Sequence, residues 1–567
     1  MTTSRPHAEP LIEPPLRNKV SDWPAPGAPP AGDNPRVARA AAHRMTSSAA
    51  AQPFTNWRRS VRNVVANWAS FIIGVMINLV LSPFIIHSLG DGAYGAWVLL
   101  SSLVGYLGLL DLGTRGAVTR YVATYHAAHR HEDAGRIAST ALVLFGGLGL
   151  LAIAASVLLA LLVNQAFQVP AELAEVARIA VVLCGVNVAV SLVSGVFGGI
   201  VVGMQRFDAL NAVNIVLTLV QALAIVLALH AGGGLVELAL VQLGVSVLRG
   251  GASVWLSCRV YPELAVRASS WSRLHLQEIF SFGIPSAFLG AAGAVINSAN
   301  TLVIGAFLPV EMITFFAIAS TMTDHVRAVI AGIAYTLTPM VGALEGQRRG
   351  AAVAEVCLQG ARFATVAVLP IVLTLELRGA SFIGIWLGPA YAGPAGVVLT
   401  VLALPVWALA GFHVVTATMI GINQHRGLIP VFVCEAFMNV LLSIALVRYL
   451  GIVGVAWGIV LPRLIVSLFV GPLYARRHAR VPLRAYWTQT LLRPAVGMIP
   501  FALVTWATEM WWPASNIWGF FGQVLTALPV AAIGAWFVVL TSRERHTLSG
   551  SLALPGFAST VIELNSE

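Results

Sequence analysis

Three arginines lie deep inside long apolar stretches of the sequence, where a charge is costly to bury. They are Arg249, Arg327 and Arg463. Arg463 follows Gly451 by about 12 residues, which is a depth of roughly 18 Å in a helix and close to the middle of a bilayer. Charges at such depths usually face a cavity or a partner. We therefore predict that they line a cationic cavity, while a structural ion pair of Arg463 with Glu435 and snorkelling of Arg249 to the headgroups remain open.

Two carboxylates accompany arginines at similar depths in different stretches. Asp324 precedes Arg327 by three residues, and Asp111 precedes Arg115 by four. Polar clusters at matching depths predict substrate contacts on two sides of one cavity. The alternative for Asp111 and Arg115 is a local ion pair, because residues four apart are neighbours on a helix.

Four further polar residues inside apolar stretches could take part in transport. His413 and Glu435 could couple transport to an ion, because intramembrane His and Glu side chains can change charge. Asn78 and Asn297 could donate hydrogen bonds to a sugar. A packing role for His413 and helix-to-helix hydrogen bonds of the two amides are the alternatives.

The composition is that of a membrane protein. The chain has 567 residues, of which 57% are hydrophobic and 10% charged, and its mean hydropathy is +0.81. A soluble domain does not reach these values. At about 20 residues per span the length accommodates about fourteen transmembrane helices, so we expect an all-α membrane fold. The four cysteines have no metal-ligand spacing, and we expect neither a metal nor another cofactor.

The basic residues indicate how the helices are oriented. With a cytoplasmic N-terminus, 22 of the 34 basic residues fall at cytoplasmic connections and only Arg178, Arg378 and Arg448 at outer ones. This bias follows the positive-inside rule. It predicts that the N-terminus and the C-terminus are both cytoplasmic and that the number of spans is even. It also accounts for the net charge of +10 without nucleic-acid binding.

The two halves of the sequence share an internal repeat. Short matches recur at offsets of 218 to 219 residues, among them Asn78 with Asn297, Gly203 with Gly421, and Gly233 with Gly451. Six spans separate the matches, so the repeat is parallel. We predict two pseudo-symmetric six-helix bundles around a shared cavity, followed by two C-terminal helices.

These patterns predict seven regions along the chain. They are a disordered Pro/Ala-rich cytoplasmic tail at 1–57, an N-terminal bundle at 58–258, a linker at 259–276, a C-terminal bundle at 277–475, a basic cytoplasmic loop at 476–491, helices 13 and 14 at 492–541, and a cytoplasmic tail at 542–567.

A segment near the first span carries a recognisable signature. It comprises Ser82-Pro-Phe-Ile-Ile-His-Ser-Leu-Gly90, Ala93-Tyr-Gly-Ala-Trp97, Gly105-Tyr-Leu-Gly-Leu-Leu-Asp-Leu-Gly113 and Arg120-Tyr-Val-Ala123. This signature resembles that of the Wzx-type oligosaccharide flippases and polysaccharide exporters. These belong to the multidrug/oligosaccharidyl-lipid/polysaccharide (MOP) superfamily, which also contains the MATE exporters.

The resemblance implies a transporter of the bacterial inner membrane rather than an enzyme. Its cargo would be a polyprenyl-diphosphate-linked oligosaccharide, moved to the periplasmic leaflet by alternating access without ATP hydrolysis by this chain. Membrane lipids and other polysaccharide assembly proteins would be its partners. The alternative is a cation-coupled multidrug or small-solute antiporter of the same superfamily. A glycan polymerase or ligase is disfavoured, because the outer connections are short.

Overall fold

The computed structural model describes residues 57–546 apart from 112–113, 168–169 and 543. The predicted terminal tails, 1–57 and 542–567, therefore lie almost wholly outside the described residues. Within the described residues the chain is helical and contains no strand, as expected for backbone that must satisfy its own hydrogen bonds in lipid. The predicted all-α fold is confirmed.

Seven helices form the first half of the molecule, which we call the N-half (residues 57–260). They are α1 (Trp57–Leu89), α2 (Asp91–Leu107), α3 (Thr114–Ala127), α4 (His131–Ala166), α5 (Ala174–Gly203), α6 (Phe207–His230) and α7 (Leu235–Val260). A 3-10 turn, Gly108–Asp111, follows α2, and α2 with α3 forms one candidate span, Asp91–Ala127. Arg115 consequently lies within a helical span and not in a loop.

The second half, which we call the C-half (residues 273–479), is followed by the C-terminal helices. The C-half consists of α8 (Arg273–Phe307), α9 (Glu311–Gly346), α10 (Gly350–Trp386), α11 (Pro389–Ala403), α12 (Val406–Gly421), α13 (Ile429–Ile465) and α14 (Gly471–Ala479). Beyond it lie α15 (Leu483–Ala485), α16 (Arg493–Gly497), α17 (Ile499–Trp511) and α18 (Ile517–Gly534).

The number of spans in the described residues is eleven, or twelve when the bent pair of α11 and α12 is taken as one span. The predicted count of fourteen is not confirmed and stays a prediction. Two helices account for the difference. The run His425–Ala479 enters the eleven as a single helix of 55 residues, and of α8 only Ser298–Phe307 contributes a described apolar segment.

The 55-residue run reverses direction at Gly451. This glycine has φ 58° and ψ −138°, a conformation that side chains disfavour. The arms on its two sides pack antiparallel: Ser443 Oγ donates to the Val455 carbonyl at 3.4 Å, and a Cβ on Gly458 would collide with Ser443. Helix α13 is thus a hairpin, whose arms α13a and α13b lie before and after Gly451.

The apolar cores show how the halves are joined. The connections that carry most of the arginines lie at one end of the helices, which we call the basic end. At the opposite end one core spans both halves and includes Ile86, Leu99, Phe316, Phe382 and Val455. At the basic end the cores are separate: an N-half core includes Val118, Ile137 and Ile200, and a C-half core includes Val341, Val353 and Val415. Among the described residues, α8 alone enters the core of the other half there, through Ile279.

Helix α10 holds the C-terminal helices through two buried arginines. Arg378 is 2% exposed, donates from Nε to Glu509 at 2.7 Å and from Nη2 to Gln523 at 2.6 Å. Arg362, also 2% exposed, pairs with Glu544. The loop counting placed both arginines at connections. The structure instead places both inside α10, where partners more than 100 residues away in sequence bury them, and the membrane side assigned to each stays a prediction.

Replacing Arg378 with Ala should destabilise the packing of the C-terminal helices. The substitution leaves Glu509 without its guanidinium, and breaking a buried pair by removing one partner costs about 3 kcal/mol or more. Thermal unfolding in detergent measures the effect. Arg178→Ala, which removes an exposed arginine, is the matched control. Equal stability of the two variants would contradict a clamping role for Arg378.

Candidate functional site

Each half contains a polar cavity lined by arginines. The C-half cavity is small, with a volume of about 30 Å³, which accommodates little more than water. Helices α8, α9, α11 and α13b provide its walls, together with Pro405 and Val406. Its polar lining consists of Asn300, Ser320, Thr323, Asp324, Arg327 and Arg463. The structure thus brings three of the predicted site residues, Asp324, Arg327 and Arg463, into one cavity.

The charges of the C-half cavity are balanced. Arg463 is 8% exposed and donates from Nε to Glu435, itself 6% exposed, at 3.1 Å across the α13 hairpin. Arg327 pairs with Asp324 one turn away on α9. A buried charge without a partner would be very costly, so these carboxylates are what permits two arginines at this depth. Arg463 thus lines a cavity and also pairs with Glu435, while its contact with the substrate stays a prediction.

A hydrogen-bonded amide network closes one side of the C-half cavity. Asn300 and Asn439 both donate to the carbonyl of Ile296, at 3.0 and 3.1 Å. Ser443 donates to Asn300 Oδ1 at 3.2 Å. The network joins α8 to α13a. Sequence reasoning missed these residues, although the pair at 439 and 443 lies on one helix face and could have signalled a polar contact.

The N-half pocket is much larger, with a volume of about 460 Å³. Helices α3, α5, α6 and α7 enclose it. Its polar side chains are those of Arg115, Thr119, Ser191, Ser194, Asn214, Ser246, Arg249 and Ser253. None of the described lining residues is a carboxylate, so the lining carries two positive charges. A pocket of this volume is in the range of small-molecule sites.

Arg115 reaches the N-half pocket from the start of α3. Its Nε lies 3.8 Å from Asp111, its side chain is half exposed, and Asp111 also accepts its backbone N–H at 3.3 Å. A Cβ on Gly195 would lie 2.8 Å from the guanidinium, so glycine at this position of α5 gives the Arg115 side chain its room. The predicted local ion pair is present, but it is long and exposed and contributes little stability.

Arg249 projects from α7 into the same pocket. Its Nε is buried without a hydrogen-bond partner among the described residues. Buried polar groups are normally hydrogen-bonded, so an unpaired guanidinium N–H requires an explanation. By the 218-residue offset of the repeat, Glu435 corresponds to a position on α6. Asn214 is the only polar side chain of α6 that lines this pocket. The N-half therefore lacks the carboxylate that neutralises Arg463 in the C-half.

The two cavities are related by the sequence repeat. Arg115 and Arg327 lie on the second span of their halves and are 212 positions apart, while Arg249 and Arg463 lie on the sixth span and are 214 apart. These spacings are shorter than the 218-residue offset by about one to one and two-thirds helical turns. Each half thus directs one arginine from its second span and one from its sixth into its own cavity.

The remaining predicted residues lie elsewhere. Asn78 is exposed on α1 and accepts a hydrogen bond from Ser82 at 2.7 Å. The side chain of Asn297 lies outside the described residues. His413 is partly buried on α12, where its Nδ1 lies 3.1 Å from the Leu409 carbonyl of its own helix. Among the described residues no cluster of three or more His, Cys, Asp or Glu could hold a metal ion.

Two solved structures share this fold. A multidrug resistance MATE family transporter of the MOP superfamily, in an inward-facing conformation, matches with a TM-score of 0.62 and 18% identity over 74% of this chain and 98% of the transporter. The lipid II flippase MurJ, in an inward closed conformation, matches with a TM-score of 0.64 and 12% identity over 84% and 98%. At these identities the likeness shows the fold alone.

Sequence comparison identifies the family. The membrane protein EpsK of Bacillus subtilis (strain 168) is 23% identical over 472 residues, which cover 78% of this chain and 87% of EpsK. The family model described as polysaccharide biosynthesis protein matches residues 60–345, just over half of the chain. These matches confirm the resemblance found in the signature near the first span. The chain belongs to the polysaccharide biosynthesis protein family.

Proposed function

We propose that the protein moves a polyprenyl-diphosphate-linked oligosaccharide across the bacterial cytoplasmic membrane, and that the N-half pocket receives the diphosphate. The observation that carries this proposal is the Nε of Arg249, which is buried without a hydrogen-bond partner among the described residues, in a pocket whose described lining contains no carboxylate. An anion is the partner that such a guanidinium lacks.

The chemistry of the N-half pocket suits a diphosphate. Guanidinium groups bind phosphate oxygens through paired, charge-assisted hydrogen bonds, and the surrounding serine hydroxyls can donate to the remaining oxygens. Arg115 and Arg249 would supply two positive charges. A cationic drug would meet repulsion there, which disfavours the antiporter alternative at this site.

The separation of the cores at the basic end supports access from that side. By the positive-inside rule, the arginine-rich connections favour a cytoplasmic position for the basic end. The oligosaccharide would then enter between the halves from the cytoplasm, while the polyprenyl chain stays in the bilayer. In this proposal the protein is a carrier that works by alternating access and catalyses no covalent step.

The same proposal assigns ion coupling to the C-half. Glu435 is a buried carboxylate held by Arg463, and His413 lies on the adjacent helix α12. A cavity of about 30 Å³ is too small for a sugar but suffices for a proton carried by water.

Deletion of the coding sequence, followed by mass spectrometry of the membrane lipids, tests the proposed cargo. We expect undecaprenyl-diphosphate oligosaccharide to accumulate with its sugars accessible only from the cytoplasm. Re-expression of the intact chain should clear it. An unchanged lipid pool combined with altered sensitivity to cationic drugs would instead favour the antiporter.

A further inference from the structure

An interior proline of α1 leaves a backbone carbonyl available to the other half. Pro83 has no N–H, so the carbonyl of Leu79 lacks its usual donor four residues on. The indole Nε1 of Trp386, at the end of α10, donates to that carbonyl at 2.6 Å. Trp386 is 9% exposed, and a buried indole N–H needs an acceptor. The contact therefore satisfies two groups, one from each half.

Asp91, the first residue of α2, accepts two further hydrogen bonds from the C-half. The hydroxyl of Tyr391, on α11, donates to the Asp91 carboxylate at 2.7 Å. The hydroxyl of Thr314, on α9, donates to the Asp91 backbone carbonyl at 2.7 Å. Tyr391 and Thr314 lie in separate helices, so Asp91 connects α2 to two different elements of the other half.

Backbone contact accompanies these hydrogen bonds. A Cβ on Gly95 would collide with the Val310 carbonyl and lie 3.2 Å from Thr314 Oγ1. Glycine at this position allows the starts of α2 and α9 to approach closely enough for Thr314 to reach Asp91. The apolar core shared by both halves surrounds the same region.

We propose that Trp386, Tyr391 and Thr314 form a lock that holds the two halves together at the end opposite the basic end. The three donors all come from the C-half, and their acceptors are Leu79 and Asp91 of the N-half. Opening that end must break the three bonds together and uncover the Leu79 carbonyl. The lock thus holds this end of the chain closed, whatever the chain carries.

The expected size of the effect follows from the bonds removed. A buried hydrogen bond of this kind shifts a two-state equilibrium by about fivefold, so loss of two shifts it by about thirtyfold. Trp386→Phe and Tyr391→Phe each remove one donor and keep the ring. Asp91→Asn keeps an oxygen acceptor and should change the equilibrium much less.

Thiol labelling of the full-length protein in oriented membrane vesicles tests the lock. The reporter position is Leu99 of α2, which is fully buried and packs against Gly305 of α8. It is replaced by Cys in a chain without native cysteines. A membrane-impermeant maleimide is applied from the side opposite the basic end. We expect the chain that carries Leu99→Cys together with Trp386→Phe and Tyr391→Phe to be labelled about thirtyfold faster than the chain that carries Leu99→Cys alone.

The control is Trp512→Phe/Tyr449→Phe, which makes the same chemical changes at side chains that are 72% and 85% exposed. It should leave the rate unchanged. Where the double variant is not monodisperse in detergent, Thr314→Val is used instead. An unchanged labelling rate in a folded lock variant overturns the proposal. The assay contains no glycan, so that result would leave the proposed cargo unaffected.

Discussion

Replacing Arg249 with Gln is expected to abolish oligosaccharide export while leaving the protein folded. The guanidinium Nε has no hydrogen-bond partner among the described residues, and no carboxylate is among the described residues that line the pocket, so its removal strands no carboxylate there. If Arg249 binds the diphosphate, the loss of two charge-assisted hydrogen bonds lowers transport by roughly a hundredfold or more. Export is measured in a deletion strain as clearance of the accumulated lipid-linked oligosaccharide.

Two further variants of α7 isolate the effect of the guanidinium. Arg249→Lys keeps the charge but loses the planar donor fork, so it should restore export only in part. Arg259→Gln is the matched control, because Arg259 is an exposed arginine on the same helix, stacked 5.4 Å from the Trp255 ring. Full export by a membrane-inserted Arg249→Gln protein would remove the N-half pocket from the diphosphate site.

Depth in an apolar stretch was enough to find the cavity arginines. Arg249, Arg327 and Arg463 all line cavities, because a charge surrounded by apolar sequence has few other places to go. Depth could not show which of the three arginines is paired with a carboxylate. Glu435 precedes Arg463 by 28 residues and meets it only because the chain reverses at Gly451. Which arginine is neutralised therefore depends on tertiary contacts.

Loop counting has the opposite weakness, because it treats arginines at the edges of apolar stretches as exposed. The count assigned Arg378 to an outer connection and included Arg362 among the 22 cytoplasmic residues, yet both are 2% exposed. Their partners, Glu544 and Glu509, lie 182 and 131 residues later. A carboxylate inside the apolar stretch at 492–511 was a usable signal for Glu509. Its partner could not be chosen without knowing that α17 packs on α10.

Replacing Arg463 with Met should sharply destabilise the protein, in contrast to the Arg249 variant. Glu435 would then be a buried charge without a partner, which costs about 3 to 5 kcal/mol. The double variant Arg463→Met/Glu435→Leu removes both charges and should recover most of the lost stability, since apolar pairs often replace buried ion pairs without cost. Thermal unfolding in detergent of the two single variants and the double variant gives the coupling energy.

Export by the double variant decides whether the Glu435–Arg463 pair does more than hold the α13 hairpin closed. If the pair couples transport to an ion, the double variant regains its stability and inserts in the membrane, but it does not clear the lipid-linked oligosaccharide. If the pair is only structural, stability and export return together. The second outcome would leave Arg115 and Arg249 as the cavity arginines with a role in transport. It would also favour the N-half pocket as the diphosphate site, since its volume exceeds that of the C-half cavity more than tenfold.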